Sequence, residues 1–175
     1  MRVIGLDLGS KCGFAWTDDG EVHGSQSGVM DFSLRHYEGG GLRLLRFQSF
    51  ISELLNVEGS CLVYFEEVIW RPGRGNTVGK GDLGAGAVIY GELSGALMMA
   101  CEQASVPFEG FKPGEIKKFA TGKGNANKEM MIEAAEKEYG PGIKTDDQAD
   151  ALHILALSLS KLGIGSRSPG LPGIA

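Results

Sequence analysis

The sequence predicts a single α/β domain in which helices cover both faces of a mixed sheet. Three observations predict this class. Three strand-like segments open the chain, and helical and strand-like segments alternate after them. The length of 175 residues fits one domain, which at this size buries about 70% of its unfolded surface. Hydrophobic residues make up 42% and charged residues 22%, which is typical of globular proteins.

Strand signals open the chain. Strand-like patterning covers residues 2–7, 11–17 and 22–32. Asp18-Asp19-Gly20 is a hairpin signal between the last two of these segments, so we expect the three to form an antiparallel meander.

The middle of the chain alternates between helix and strand. Glycines at 39–41 predict a break, and apolar residues at helical spacing then predict an amphipathic helix over 42–55. Residues 61–65 form a continuous apolar run, which is typical of a buried parallel strand. Glycines and basic residues dominate 71–86, where no core can form, and we expect a mobile loop there.

The remaining elements complete the domain. We predict a small-residue helix over 87–103, a short strand over 106–111, and helices over 128–139 and 145–162. The domain therefore spans 1–162. The tail over 163–175 is rich in glycine, proline and serine, which predicts disorder.

Several classes of protein are disfavoured by composition. No apolar run approaches the ~20 residues of a membrane span. The first strand pattern begins at residue 2, so we expect no secretion or transit signal. Cys12, Cys61 and Cys101 are widely spaced among apolar neighbours, which predicts buried thiols in a reducing compartment and no disulfide or zinc site. We expect a cytoplasmic protein, of a bacterium or of a phage-infected host.

The charge is negative overall but unevenly distributed. Lysine and arginine number 17 against 22 acidic residues, a net charge of −5, which is unfavourable for binding nucleic acid. Positive charge nevertheless concentrates in two segments, with Lys112, Lys117, Lys118, Lys123 and Lys128 in one and Arg71, Arg74 and Lys80 in the other. These residues form either a solvated face or a phosphate-binding surface.

Acidic residues follow two of the predicted strands. Asp7 lies between Gly5 and Gly9, which let the backbone turn and let a ligand approach, although an aspartate here also suits a plain turn. Glu66 ends the buried run, at the strand end where open α/β sheets bind ligands. Glu67 must point the opposite way, and alternation alone does not choose between the two.

A third acidic group opens the last predicted helix. Thr145 and Gln148 form a capping-box pattern, and Asp146 and Asp147 suit the positive end of the helix dipole. Asp150 lies beyond the first turn, in an apolar stretch, so capping does not explain it. Asp147 and Asp150 share one helix face, and Asp146 with Asp150 is the alternative pair.

These carboxylates predict an oxygen-ligand metal site. Such a site suits Mg²⁺ or Mn²⁺ and not zinc, which prefers nitrogen and sulfur. Two ions can activate a water and stabilise the leaving oxygen of a phosphodiester. His153 extends the same side of the last helix, either as a ligand or as a structural histidine.

Four motifs share their order and spacing with one known family. They are IGLDLGS at 4–10, YFEEV at 64–68, IK at 116–117 followed by GKGNANK at 122–128, and DQADAL at 147–152. Over about residues 1–160 the sequence thereby resembles the RuvC family of Holliday-junction resolvases, in the RNase H-like superfamily. The resemblance fits cellular and phage-type members alike.

The resemblance implies a fold, a site and an activity. It implies a five-stranded sheet with three antiparallel N-terminal strands, and cleavage of four-way DNA junctions with two Mg²⁺ ions, or Mn²⁺, per site. The family's acidic ligands fall on Asp7, Glu66, Asp147 and Asp150, and its phosphate-binding lysines fall on Lys117 and Lys128. Lys128 thereby joins the four acids as a catalytic residue. We add Arg71, Arg74, Lys80, Lys118 and Lys123 as further DNA contacts.

Two features depart from the family. Its junction-opening aromatic falls on Ile69, with Trp70 one place later, and the loop that follows is unusually rich in glycine. In cells such an enzyme works beside a branch-migration motor, a partner to which no residue of this sequence points.

Three other functions share some of these signals. The Gly-x-Asp-x-Gly motif also opens actin, Hsp70 and sugar-kinase ATPases, but those need two such domains and a second phosphate loop. YqgF-type RNase H-like nucleases begin similarly, although the Asp-x-x-Asp helix fits RuvC better. A junction-binding protein that does not cut is the third, and it would gain nothing from carboxylates that face phosphate.

The symmetry of the implied substrate predicts a homodimer. Resolving a two-fold symmetric junction takes two matched nicks, and one acidic site makes only one. The predicted helix over 87–103 offers a surface, with small Gly91, Ser94, Gly95 and Ala96 and apolar Leu93, Leu97 and Met98.

Overall fold

A five-stranded mixed sheet forms the centre of the molecule, as a computed structural model describes it over residues 1–68 and 84–164. In chain order the elements are β1 (Arg2–Asp7), β2 (Lys11–Thr17), β3 (Gln26–Asp31), α1 (Gly40–Leu55), β4 (Cys61–Glu66), α2 (Ala85–Ala104), β5 (Phe108–Phe111), α3 (Pro113–Thr121), α4 (Lys128–Tyr139) and α5 (Asp146–Lys161). The strand order is β3-β2-β1-β4-β5, with β1–β3 an antiparallel meander and β4 and β5 parallel to β1. The predicted mixed sheet and RNase H-like fold are confirmed.

Each face of the sheet has its own core, because side chains alternate along the strands. Ile4 and Leu6 of β1 pack with the apolar faces of α1 and α2. Val3 of β1 and Tyr64 of β4 face the other way and pack in the core to which α3, α4 and α5 contribute. Helix α5 lies directly on β1 and β2, which places its first turns beside the carboxyl end of β1.

Several predicted boundaries differ from the observed ones. Helix α1 begins at Gly40, inside the glycine run that predicts a break, and α2 begins at Ala85, inside the predicted loop. Strands β3 and β5 are shorter than predicted. Glycine lowers helix propensity but does not forbid a helix whose later turns bury an apolar face.

Helix α3 is absent from the sequence prediction. Its signals are Pro113 in the first turn and Gly122 at the C-cap, where φ is 76°. Proline near a helix start and glycine just past its end are a known pair of boundary signals. The sequence analysis considers the segment between Pro113 and Gly122 only for its lysines, so it predicts no helix there.

The predicted dimer helix buries part of its proposed surface. Leu93 and Leu97 are fully buried against the protein's own core, and Ser94 is nearly so. Assigning these three residues to an intermolecular surface was wrong, because α2 needs them to cover the sheet. Met98 is exposed, and Gly91 and Gly95 face open space.

The cysteines and the start of the C-terminal tail lie within the described residues. Cys12, Cys61 and Cys101 are buried free thiols, as predicted. Ile164, at the start of the predicted tail, packs against the core, and 165–175 lie outside the described residues. No helix in the described part of the chain is long and apolar enough to cross a bilayer.

Candidate active site

Two acidic side chains meet at one edge of the sheet. In the parallel pairing of β1 with β4, Leu6 lies opposite Phe65, so Asp7 and Glu66 end their strands side by side. Asp7 shares a face of the sheet with Gly5, and Gly5 touches α5. Asp7 therefore points to the side that α5 covers.

The structure also separates Glu66 from Glu67. Glu66 is half-buried, and its charge raises the pKa of Asp7. Glu67 is exposed, and its side chain packs over Gly110 of β5, where a Cβ would stand 2.6 Å from the Cβ of Glu67. Only Glu66 joins Asp7.

Two glycines allow α5 to approach the sheet closely. A Cβ on Gly5 would lie 2.7 Å from the carbonyl oxygen of Ala151, and a Cβ on Gly13 would lie 1.8 Å from that of Asp147. Gly13 is also the residue of β2 that pairs with Asp7. The atoms that a Cβ would meet at these two positions include backbone atoms of α5, which cannot rotate away as a side chain can. Glycine at both positions therefore allows α5 to pack this close to the strand that carries Asp7.

The start of α5 is anchored by two hydrogen bonds. Thr145 Oγ1 accepts from the Gln148 backbone N–H at 3.2 Å, which is one half of the predicted capping box. The other half is missing, because Gln148 Nε2 donates to Ser27 Oγ of β3 at 3.0 Å. The first turn of the helix is therefore fixed both locally and to the sheet.

The structure also distinguishes the two predicted acid pairs. Asp146 accepts a hydrogen bond from Lys128 Nζ, which stabilises its charged form and lowers its pKa. The charges of Asp150 and Asp147 both raise the pKa of Asp7, each more than that of Asp146 does. We call Asp7, Glu66, Asp147 and Asp150 the acid cluster.

Burial raises every pKa in the acid cluster, and repulsion from other cluster acids adds to it at Asp7 and Asp150. The pKa of Asp7 is well above its usual range, first because of burial and then because of Glu66, Asp150 and Asp147. Burial, followed by the charges of Glu66 and Asp146, raises the pKa of Asp150 to about 7. Burial raises the pKa values of Glu66 and Asp147 as well. The cluster therefore favours whatever positive charge can reach it.

One atom of the cluster has no partner. Asp150 Oδ1 is buried and accepts no hydrogen bond from the described residues. An unpaired buried carboxylate oxygen is costly unless a proton or a cation satisfies it. A set of carboxylate oxygens alone fits a hard divalent cation such as Mg²⁺ or Mn²⁺.

The carboxylates do not form a closed cage by themselves. Across residues 1–68 and 84–164, no three His, Cys, Asp or Glu side chains stand in a ready-made metal-binding arrangement. The carboxylates of the acid cluster are thus close enough to one another to interact electrostatically. Their oxygens would have to move closer together to coordinate a bound ion.

Three lysines surround the acid cluster. Lys117 of α3 lowers the pKa values of Glu66 and Asp150, and Lys128 at the start of α4 lowers that of Asp147. Lys11 also lowers the pKa of Asp147, and the sequence analysis missed it. The available signal was its place four residues after Asp7, at the start of the antiparallel partner strand.

Two of the remaining predicted DNA contacts lie within the described residues. Lys118 and Lys123 are exposed, on α3 and just after it. Arg71, Arg74 and Lys80 lie outside the described residues, as do Ile69 and Trp70.

His153 is a structural histidine. It is 1% exposed, its Nε2 lies 3.0 Å from the carbonyl oxygen of Met131, and its Nδ1 lies 3.2 Å from the Tyr139 hydroxyl. Because a carbonyl only accepts, Nε2 carries the proton and Nδ1 accepts from Tyr139. Both ring nitrogens are thereby occupied within the protein core.

Comparisons with known proteins point to one family. No family model matches the chain. The crossover junction endodeoxyribonuclease RuvC of Ruegeria pomeroyi is 31% identical over 159 residues, which cover 88% of this chain and 88% of that protein. RuvC of Anaeromyxobacter sp. Fw109-5 is 27% identical over 92% of this chain and 74% of its own length. The match to RuvC of Brachyspira hyodysenteriae, 35% identical, spans 43% of this chain and about half of that protein, 47%.

Solved structures show the same fold. Thermus thermophilus RuvC matches with a TM-score of 0.62 at 21% identity, over 94% of this chain and 98% of that one. The same protein in complex with Holliday junction substrate matches with a TM-score of 0.63 at 20% identity, over 93% and 96%. With a relative that is 31% identical over 88% of both chains, and with a shared fold, the chain belongs to the RuvC family of crossover junction endodeoxyribonucleases.

Proposed function

We propose that Asp7, Glu66, Asp147 and Asp150 hold the divalent cations with which this chain, a crossover junction endodeoxyribonuclease, cuts four-way DNA junctions. The observation that carries the proposal is the buried Oδ1 of Asp150, which has no hydrogen-bond partner among the described residues, in a cluster whose acids raise the pKa values of Asp7 and Asp150. In a protein that only bound DNA, these carboxylates would repel the DNA phosphates and so weaken binding, with no function to offset the loss.

The donor set favours Mg²⁺, with Mn²⁺ as the alternative, and we propose two ions per site. Bound there, such ions lower the pKa of a water and stabilise the charge that develops on the leaving oxygen of a phosphodiester. The protein's own contribution is to hold four carboxylates on three rigid elements. The glycines at 5 and 13 set how closely those elements approach.

The lysines near the acid cluster offset its repulsion of DNA. Lys117 and Lys128 are close enough to the acids to change their pKa values, and Lys128 is 76% exposed. We propose that both bind phosphate next to the bond that is cut, which makes Lys128 a catalytic residue. The exposed Lys118 and Lys123 add further phosphate contacts in the proposal, and so do Arg71, Arg74 and Lys80, which lie outside the described residues.

Paired cleavage requires two copies of the site, and we propose a homodimer. Each chain carries one acid cluster, and a four-way junction presents two equivalent strands related by two-fold symmetry. Helix α2 supplies the surface through the exposed Val88, Met98 and Met99 and the open positions Gly91 and Gly95.

Removing one charge of the acid cluster tests the proposal. Asp7→Asn should reduce cleavage of a labelled four-way junction in Mg²⁺ by at least about a hundredfold, because it removes a charge that holds the ions. Binding to the junction in a chelator should persist, since the loss of an acid costs no phosphate contact. Glu67→Gln is the matched control, because it removes an acid at the same sheet edge that points away, and it should cut normally.

The outcome separates the proposal from its alternatives. Undiminished cutting by Asp7→Asn would remove Asp7 from the site. A wild-type protein that binds junctions with and without Mg²⁺ but never cuts them would be a binding protein. Equal cutting of junction, flap and duplex DNA would contradict structure-selective cleavage.

A further inference from the structure

The ion pair between Lys128 and Asp146 links the starts of two helices. Lys128 is the first residue of α4 and Asp146 is the first residue of α5. Both backbone positions are set by side-chain caps: Asn127 Oδ1 accepts from the Met130 N–H at 3.0 Å, and Thr145 caps α5. The two side chains thus pair across the gap between two helix starts whose backbones are held by their caps.

The pair sits against the acid cluster. The charge of Asp146 raises the pKa values of Asp7, Asp147 and Asp150, so it lies within electrostatic reach of all three. The pKa of Lys128 is raised first by Asp146 and then by Asp147 and Asp150. Among these acids, Asp146 is the one that accepts a hydrogen bond from the Lys128 ammonium.

The pair is also easy to exchange. Lys128 is 76% exposed and Asp146 30%, and an ion pair this open to water contributes little to stability. A DNA phosphate that approached Lys128 would find its ammonium already bound to a carboxylate. The ammonium has three N–H donors, but the negative charge of Asp146 beside it repels a phosphate, so a phosphate contact favours release of Asp146.

We propose that Asp146 is a positioning residue that holds Lys128 beside the acid cluster and competes with DNA phosphate for its ammonium. The inference rests on the proposed phosphate contact of Lys128. Without DNA, Asp146 keeps the lysine at the site. With DNA, the ammonium passes from the Asp146 carboxylate to a phosphate, and no covalent bond changes. Asp146 therefore weakens junction binding through Lys128 alone.

A double-mutant cycle tests this competition without relying on cleavage. Binding of a labelled four-way junction is measured in a chelator over a range of salt concentrations, for Asp146→Asn, Lys128→Ala and the double variant. Asp146→Asn should bind about two- to fivefold more tightly than wild type, the range expected for losing one exposed ion pair. Lys128→Ala should weaken binding and lower the slope of log K against log salt by about 0.9.

The interaction within the cycle carries the result. In the Lys128→Ala background, Asp146→Asn should have no more effect than Glu129→Gln, a control that removes an exposed acid next to Lys128. Asp146→Glu, which keeps the carboxylate, should bind like wild type. Thermal melts establish that each variant is folded, and Asp146→Ser replaces Asp146→Asn if that variant is not.

Each outcome is decisive. Equal tightening by Asp146→Asn with and without Lys128, or tightening no larger than that of Glu129→Gln, would show a plain charge effect and overturn the competition. Unchanged or weaker binding by Asp146→Asn alone would do the same. If Lys128→Ala leaves junction binding and its salt dependence unchanged, the proposed phosphate contact of Lys128 is wrong. If the cycle gives the expected binding results but the wild-type protein does not cut junctions, only the proposed catalytic function is contradicted.

Discussion

Single residues near the active site differ in function because they differ in burial and partners. Asp146 and Asp147 are neighbours in the first turn of α5, yet Asp146 pairs with Lys128 and Asp147 belongs to the acid cluster. Glu66 and Glu67 differ in the same way. His153, one turn after Asp150, is enclosed by Tyr139 and Met131 and belongs to the core.

The enclosure of His153 predicts a pH-dependent stability. Burial lowers the pKa of His153 from 6.5 to about 4, because the charged ring would lose water without gaining an acid. The folded-state pKa lies below the unfolded one, so this contribution is complete above pH 6.5 and is lost as the pH falls toward 4. It amounts to up to about 3 kcal/mol.

Chemical denaturation of wild type and His153→Asn from pH 7 to pH 4 measures this contribution. The free energy of unfolding should fall more steeply in wild type, because both proteins share the titration of their acids. Parallel curves would mean that His153 is not held neutral by the fold.

At the scale of elements, the candidate active site is a contact between a helix and two strands. The carboxylates on β1 and β4 can meet those on α5 only because glycines replace side chains where α5 crosses the sheet. The Gln148–Ser27 hydrogen bond fixes the same helix to β3. Close packing leaves no slack, so a small change in this contact should move the acids.

Gly13→Ala should therefore damage both fold and site. Its Cβ would lie 1.8 Å from the Asp147 carbonyl oxygen, so α5 must shift outward. We expect a loss of about 1–3 kcal/mol in the free energy of unfolding, as for other overpacked sites. Cleavage in Mg²⁺ should fall further than stability alone explains, because Asp147 moves away from Asp7.

Gly41→Ala is the matched control, since nothing lies within 4 Å of its new Cβ. Thermal melts and single-turnover cleavage compare the two variants. Full activity in a folded Gly13→Ala protein would show that the close packing of α5 on Gly13 does not determine the geometry of the site.

At the scale of the whole molecule, α2 carries an exposed face that its own sheet does not use. Val88, Met98 and Met99 are 45%, 39% and 51% exposed, and Gly91 and Gly95 between them permit close approach. Burying these side chains in a two-fold contact would remove apolar surface from water and bring two acid clusters into one particle.

Sedimentation should give a particle of twice 18.6 kDa at micromolar concentration. Met99→Lys, which places a charge on this face, should shift the particle toward monomer and uncouple the two nicks of a junction. Met30→Lys is the control, because Met30 is similarly exposed but belongs to the edge strand β3 and not to α2. A wild-type protein that remains a monomer on the junction would contradict paired nicking.

Local signals were sufficient to predict most of the fold. Alternation and apolar runs predict all five strands, because a strand's period and burial are written in neighbouring residues. Helix boundaries shifted where glycine suggested a break and tertiary packing still favoured a helix, at Gly40 and Ala85. Helix α3 was missed because its charged surface masked its capping signals.

The sequence by itself determined which residues are available for the site, since its motifs place an acid after each of two strands and two acids on one helix face. Tertiary structure alone decided which of them meet. Glu66 over Glu67, and Asp147 over Asp146, follow from contacts between distant segments, such as the bond between Gln148 and Ser27 across 121 residues. Periodicity encodes a residue's own element and face, whereas partners, burial and pKa depend on what the folded chain brings to that face.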